Sequence, residues 1–280
     1  MNIKIISDSL ADIPQEMARE LDIEVMPLTI IFDDAQYKDG IEITPEEMYK
    51  KIEKSGKLPT TSQVTPKKFE EIFRSYLNGG HTIIYIGSSS RASGTFQSAL
   101  VAKNAIGSES IHVFDTYLLS YASGMIAVEA AKMAREGKTP EQIIERAKCM
   151  QERMGCVFTV DTLDYLKRGG RLSATQAAIG TILNVKPLLT LEDGIVKHLK
   201  NVRGTKKALE EMLDIIVKEA GESPEQIMIS HGLDMELFQK FLDMSAERMN
   251  MDKIQTSNIG AIIGIHTGPS VAAAFYLKKI

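Results

Sequence analysis

The sequence predicts an α/β protein of two domains, an N-terminal three-layer α/β/α domain on a parallel sheet over residues 1–155 and a C-terminal mixed-sheet α/β domain over residues 156–280. Two patterns carry that reading. In the first half, short apolar runs alternate with helical segments, which implies right-handed βαβ crossovers and a parallel sheet covered on both faces. In the second half, Glu192-Asp193-Gly194 separates two apolar runs, and Asp-Gly between such runs signals a hairpin that a purely parallel sheet lacks.

Taken in order, Ile3–Ile6 is a strand ending at Asp8-Ser9, and Pro14 opens a helix to Leu21, since proline suits a first helical position. Ile23–Phe32 reads as a second strand, with a turn at Asp39-Gly40. Thr44 caps the next helix, and Glu47 three residues on completes a capping box. Thr60–Gln63 reads as a polar loop, and Thr65-Pro66 opens a helix to Leu77. Thr82–Ile86 is a strand, Thr95–Ile106 a helix, and Ile111–Phe114 a strand ending at Asp115-Thr116. Helices over 118–135 and 140–154 close the first half. Beyond it come a short helix over 161–167 stopped by Gly169-Gly170, a helix capped by Ser173, the hairpin of 187–191 with 195–199, a helix over 204–218 and a strand over 227–230. A helix over 234–248 and strands around Ile254 and Ile262 complete the chain.

Composition narrows the function. Hydrophobic residues make up 44% and charged residues 25% of the chain, as in ordinary globular proteins. A net charge of −4 argues against a partner bound through a phosphate-neutralising surface, so no nucleic acid is expected. Cys149 and Cys156 form no paired motif and read as reduced core residues rather than a disulfide or metal site. The opening MNIKIISDS is too short in apolar length for a signal peptide, and no run of about 18 apolar residues spans a membrane. The expectation is a cytoplasmic protein with no stable membrane insertion. The 14 methionines suit either a Met-tolerant core or a pocket for a flexible apolar ligand.

In an open parallel sheet, ligands sit beyond the carboxyl ends of the strands. Asp8-Ser9, Ser88–Gly94 and Asp115-Thr116 converge there, with Thr61-Ser62 as a fourth segment. A helix opening at Ser93-Gly94-Thr95 points N–H groups and partial positive charge at an anion, and hydroxyls of Ser93 and Thr61 complete the cradle. The same hydroxyls also read as caps and turn formers. Catalytic patterns fail: Ser89 has Gly87 before it but Arg91 after it, and Gly137-Lys138-Thr139 has Lys132 where a phosphate loop needs glycine. YLKRGGRLS, residues 165–173, is either a helix stop with favourable cations or a basic site. His266, before Thr267-Gly268-Pro269, is either structural or a donor to an anion.

Asp8-Ser9 with Asp12, Thr61-Ser62-Gln63, Ser88-Ser89 with Ser93–Ala99, Tyr165–Arg171 and His266–Pro269 together resemble the DegV family of bacterial fatty-acid-binding proteins, in the family's order and over nearly the whole chain. The resemblance implies a long-chain fatty acid, and no cofactor or metal, with the tail buried between two domains and the C-terminal domain closing over the acyl chain. It places Thr61, Ser62, Ser93, Gly94, Thr95, His266 and Thr267 at the fatty acid, the carboxylate lying on the Thr61 and Ser93 hydroxyls with His266 nearby. It sets Arg171 and Arg203 near the carboxylate or on a docking face. It implies a binding protein rather than an enzyme, in some members the subunit that presents the acid to a separate ATP-using fatty-acid kinase for acyl phosphate formation. Where the family usually has glycine after His-Thr-Gly-Pro, this chain has Ser270. Two rival readings remain, a stand-alone lipid carrier or sensor and a hydrolase built on a serine and His266.

Overall fold

The computed structural model describes residues 2–172 and 184–279. The helix cap expected at Ser173 lies outside the described residues. The chain divides into two compact units, one of residues 1–44 and 59–152, the other of residues 45–58 and 153–280. The segment Pro45–Leu58 therefore belongs with the second unit, not with the N-terminal half where its position in the chain puts it.

The first unit is built on a four-stranded parallel sheet in the order β2-β1-β6-β7. Its strands are β1 (Ile3–Asp8), β2 (Glu24–Met26), β6 (Thr82–Gly87) and β7 (Ile111–Asp115). Every residue of β6 after Thr82 is buried, so both faces of the sheet are covered, as a continuous Ile-Ile-Tyr-Ile run requires. Helices α3 (Pro66–Asn78) and α4 (Thr95–Ile106) pack on each other and on β6, where the Phe69 ring meets Tyr85 edge-on with centroids 5.0 Å apart. Helix α5 (Tyr121–Arg135) packs on β1 and β6. Helices α1 (Gln15–Glu20) and α6 (Pro140–Arg153) complete the set, and between them in the chain α2 (Pro45–Ser55) is given to the other unit.

The single strand expected over 23–32 is two. Pro27 supplies no N–H to a ladder, and the chain leaves the parallel sheet there. It resumes as β3 (Thr29–Ile31) in a separate antiparallel sheet, between β4 (Gln36–Lys38) and β5 (Thr60–Ser62). The polar loop expected at 60–63 is thus a strand for most of its length.

The second unit carries a six-stranded mixed sheet in the order β10-β9-β8-β13-β11-β12. These are β8 (Met154–Val160), β9 (Val185–Glu192), β10 (Ile195–Arg203), β11 (Ile227–His231), β12 (Ile254–Asn258) and β13 (Val271–Leu277). The predicted hairpin is present: Asp193 and Gly194 both have positive φ, 51° and 79°, as a two-residue turn between twisted strands demands. The central pair β8 and β13 is antiparallel and buried at every position. Helices α8 (Thr205–Ala220) and α9 (Met235–Ala246) close a core of Leu209, Met212, Ile216, Phe241, Val157 and Tyr276. Tyr276 lies opposite Gly155, where any Cβ would fall 2.2 Å from its ring.

Two expectations fail in this unit. The strand around Ile262 is a helix, α10 (Ala261–Thr267), and the central strand that follows it was not foreseen. A helix run on to residue 154 also hid β8. Helix α7 (Asp164–Arg168) is the short helix expected before the glycine pair.

Candidate functional site

The hydroxyl-rich loop after β6 is held in place largely by polar groups from the neighbouring strand ends and loops. The buried Asp8 carboxylate, at the end of β1, accepts from Tyr85 Oη at 2.6 Å, Ser88 N at 3.0 Å and Leu10 N at 3.2 Å. Burial raises its pKa, and those donors act against the rise. Ser89 N donates to the Leu118 carbonyl, and Ser89 Oγ accepts from Arg91 N. Thr116 Oγ1 donates to the Gly87 carbonyl at 2.9 Å, while Asp115 Oδ1 accepts from Ser90 N and Tyr117 N. Ser88, Ser89 and Thr116 are all buried. These groups brace the sheet's carboxyl edge.

Ser93, Gly94 and Thr95 differ from them. Ser93 and Gly94 are half-buried, and Gly94 sits at the N-cap of α4 without a capping side chain. Ser93 Oγ donates to Thr95 Oγ1 at 3.0 Å and accepts from Thr95 N at 3.3 Å, so it closes only the first residue of the helix. Beside this end of the helix comes Gln63, directly after β5. Its Nε2 donates to Ser98 Oγ at 2.8 Å, and its Oε1 would stand 1.9 Å from a Cβ at Gly94. Thr61 and Ser62 precede it on β5, opposite Ile30 and Thr29, and both are half-buried. Gln63 stood in the sequence pattern without a role, because nothing local says that its amide crosses a glycine more than thirty residues on.

The other predicted residues belong to the second unit. The 169–171 turn is a helix stop of the Schellman type: Gly170 has φ 69°, its N–H reaches the Lys167 carbonyl, and Arg171 N reaches the Leu166 carbonyl. The turn also presents Arg171, whose guanidinium donates to the Gly169 carbonyl. His266, in the last turn of α10, lies against the same place, since a Cβ on Gly169 would come within 2.1 Å of His266 Nδ1. Among the described residues, His266 Nδ1 is the one buried side-chain nitrogen or oxygen without a hydrogen-bond partner. Burial first, and the Arg171 charge second, push the imidazole pKa down to about 4, so it is neutral at pH 7.

Thr267 Oγ1 donates to the Ile263 carbonyl at 3.2 Å, and Tyr49 Oη donates to the Gly264 carbonyl at 2.7 Å, tying α2 to α10. Gly268 combines φ 83° with a Tyr165 ring 2.7 Å from any Cβ, so only glycine fits there. Ser270 uses the hydroxyl that a glycine would lack to donate to Asp234 Oδ2 at 2.5 Å. Arg203 is exposed at the end of edge strand β10. The structure thus gathers Thr61 to Thr95 in one unit and Arg171, His266 and Thr267 in the other, with Arg203 on that unit's sheet edge. Among the described residues no group of three or more His, Cys, Asp or Glu side chains could hold a metal ion, and no helix is long and apolar enough to cross a membrane.

Against known proteins, the DegV family model, described as an uncharacterised protein family, matches residues 2–279. A DegV domain-containing protein of Caldanaerobacter subterraneus subsp. tengcongensis is 38% identical over 278 residues, covering 99% of each chain. A solved DegV family protein of Thermus thermophilus, described by its fatty acid binding, superposes with a TM-score of 0.92 at 31% identity over the whole of both chains. A stearic acid-binding protein of Eubacterium ventriosum gives a TM-score of 0.88 at 26% identity, covering 100% of this chain and 99% of that one. Matched from end to end by the family model and by relatives of this similarity, the chain belongs to the DegV family.

Proposed function

We propose that this protein binds one long-chain fatty acid, with its carboxylate on the Thr61 and Ser93 hydroxyls and the N–H groups that open α4. The observation that carries the reading is the N-terminus of α4, where glycine replaces a capping side chain and Ser93 reaches only Thr95 N–H. A carboxylate spreads one charge over several acceptor lone pairs, and hydroxyls with helix N–H groups satisfy it without a metal. The tail supplies most of the affinity: about 0.8 kcal/mol per buried methylene gives on the order of 11 kcal/mol for roughly fourteen, before ordering costs. Fatty acid binding by the Thermus relative and stearic acid binding by the Eubacterium one support the reading. We propose further that the chain acts in the cytoplasm and presents the acid to an ATP-using partner that makes the acyl phosphate, with Arg171 and Arg203 serving the partner rather than the lipid.

Native mass spectrometry of the purified protein, with solvent extraction of whatever it carries, tests the binding. One fatty acid per chain is expected, and Ser93→Ala should lower its retention about tenfold. Protein that neither carries nor takes up fatty acid refutes the proposal. For the second step, Arg203→Ala should lower ATP-dependent acyl phosphate formation by a fatty-acid kinase while leaving lipid bound, and lipid loss from that variant contradicts the assignment.

A further inference from the structure

The side chain of Gln63 lies across the backbone at Gly94. It leaves β5 one residue after Ser62 and reaches the first turns of α4, where its Nε2 donates to Ser98 Oγ at 2.8 Å. Its Oε1 occupies space that a Cβ on Gly94 would need, at 1.9 Å. Ser98 is buried, so the far end of this bridge is anchored on the covered side of the helix. Gly94 has φ −75°, which any residue adopts. A side chain at position 94 would therefore meet the Gln63 amide rather than strain the turn, and the flexible Gln63 side chain would have to shift to admit it.

From this geometry we infer that Gln63 is a positioning residue for the carboxylate site, fixing the strand that carries Thr61 against the helix end that carries Ser93. The inference rests on the proposed binding of a carboxylate by those two hydroxyls. Two hydroxyls on separate elements discriminate a carboxylate only while their spacing is held, and the Gln63–Ser98 bond ties the residue that follows β5 to α4. Removing it leaves both hydroxyls in place but lets the strand and the helix move apart. The acyl chain does not depend on that spacing, so the loss falls on recognition of the head group.

The test compares stearic acid with octadecanol, which keeps the chain and lacks the carboxylate, by displacement of a fluorescent fatty acid from the full-length protein. The readout is the ratio of the two dissociation constants. Gln63→Met keeps the length and removes the donor, Ser98→Ala removes the acceptor, and Gly94→Ala displaces the Gln63 side chain without altering either partner. Each should lower the preference for the acid about five- to tenfold, the worth of one hydrogen bond to a site around a charged group. The double variant Gln63→Met/Ser98→Ala should fall no further than either single one, because both remove the same bond. Unchanged preference in Gln63→Met and Ser98→Ala overturns the inference. So do losses that add, or equal weakening of both ligands with a lower melting temperature, which would make the bond a plain structural tie. Wild-type protein that shows no preference for the acid instead refutes the carboxylate reading itself, and the two failures are told apart by that first arm.

Discussion

His266 is the residue on which acid should act first. Its folded pKa, near 4, lies below the unfolded value of 6.5, so the unfolded chain binds a proton more readily between those two values. Stability present above pH 6.5 is therefore lost progressively as pH falls toward 4 and is fully lost below that. The full span is worth about 3 kcal/mol, less what solvent screening removes from a half-buried ring. Asp8 acts in the opposite sense. Its raised pKa makes the folded state the better proton acceptor above the ordinary carboxylate value, so acid relieves its cost. Denaturant midpoints of wild type and His266→Gln, measured from pH 7 to 4, separate the two: the variant should lose the part of the slope that lies between 6.5 and 4. A slope unchanged by the substitution refutes the assignment. The hydroxyl run at 88–95 was legible in the sequence as a polar loop at a helix start. Which of its polar groups are tied up was not, because Ser88 N donates to Asp8, Ser89 N to the Leu118 carbonyl and Ser88 Oγ to Ser123 Oγ, partners supplied by the fold and not by the local pattern.

At the scale of elements, β8 and β13 depend on what each leaves out. Gly155 faces Tyr276, whose ring fills the place of a side chain and whose hydroxyl donates to Glu219 Oε2 at 2.9 Å. Gly155→Ala forces that ring out of a packed core, and about 2 kcal/mol of stability should be lost, read as a lower urea midpoint with the slope preserved. A midpoint within error of wild type would mean that the ring has room to move. The same two strands mark the limit of the sequence reading. VAAAFYL carries small residues and no alternation because it is buried on both faces, so no period of two announces a strand. AIIGIHT, just before it, has strand-like composition, yet it winds into a helix that ends at Gly268, whose φ of 83° a glycine alone adopts readily. Short apolar runs fit either element, and the sheet decides. The hairpin at Asp193-Gly194 was legible because its signal lies in the turn chemistry rather than in the faces of its strands.

Across the whole molecule, the element whose destination the sequence concealed is α2. Its capping box says that it is a helix, and nothing in that signal says which core receives Met48, which is fully buried, or which carbonyl meets Tyr49 Oη. The chain passes between the units three times, after Thr44, after Leu58 and after Glu152. A peptide bond cut between Glu152 and Arg153 therefore yields two pieces, one of which has its residues 45–58 lodged in the fold made by the other. Protein carrying that single nick should run as one species under native conditions and as two in denaturant, and release of the 153–280 piece without denaturant would show that α2 holds it too weakly. The fold is in this sense sewn as well as packed: severing its last thread leaves an earlier stitch holding the cloth.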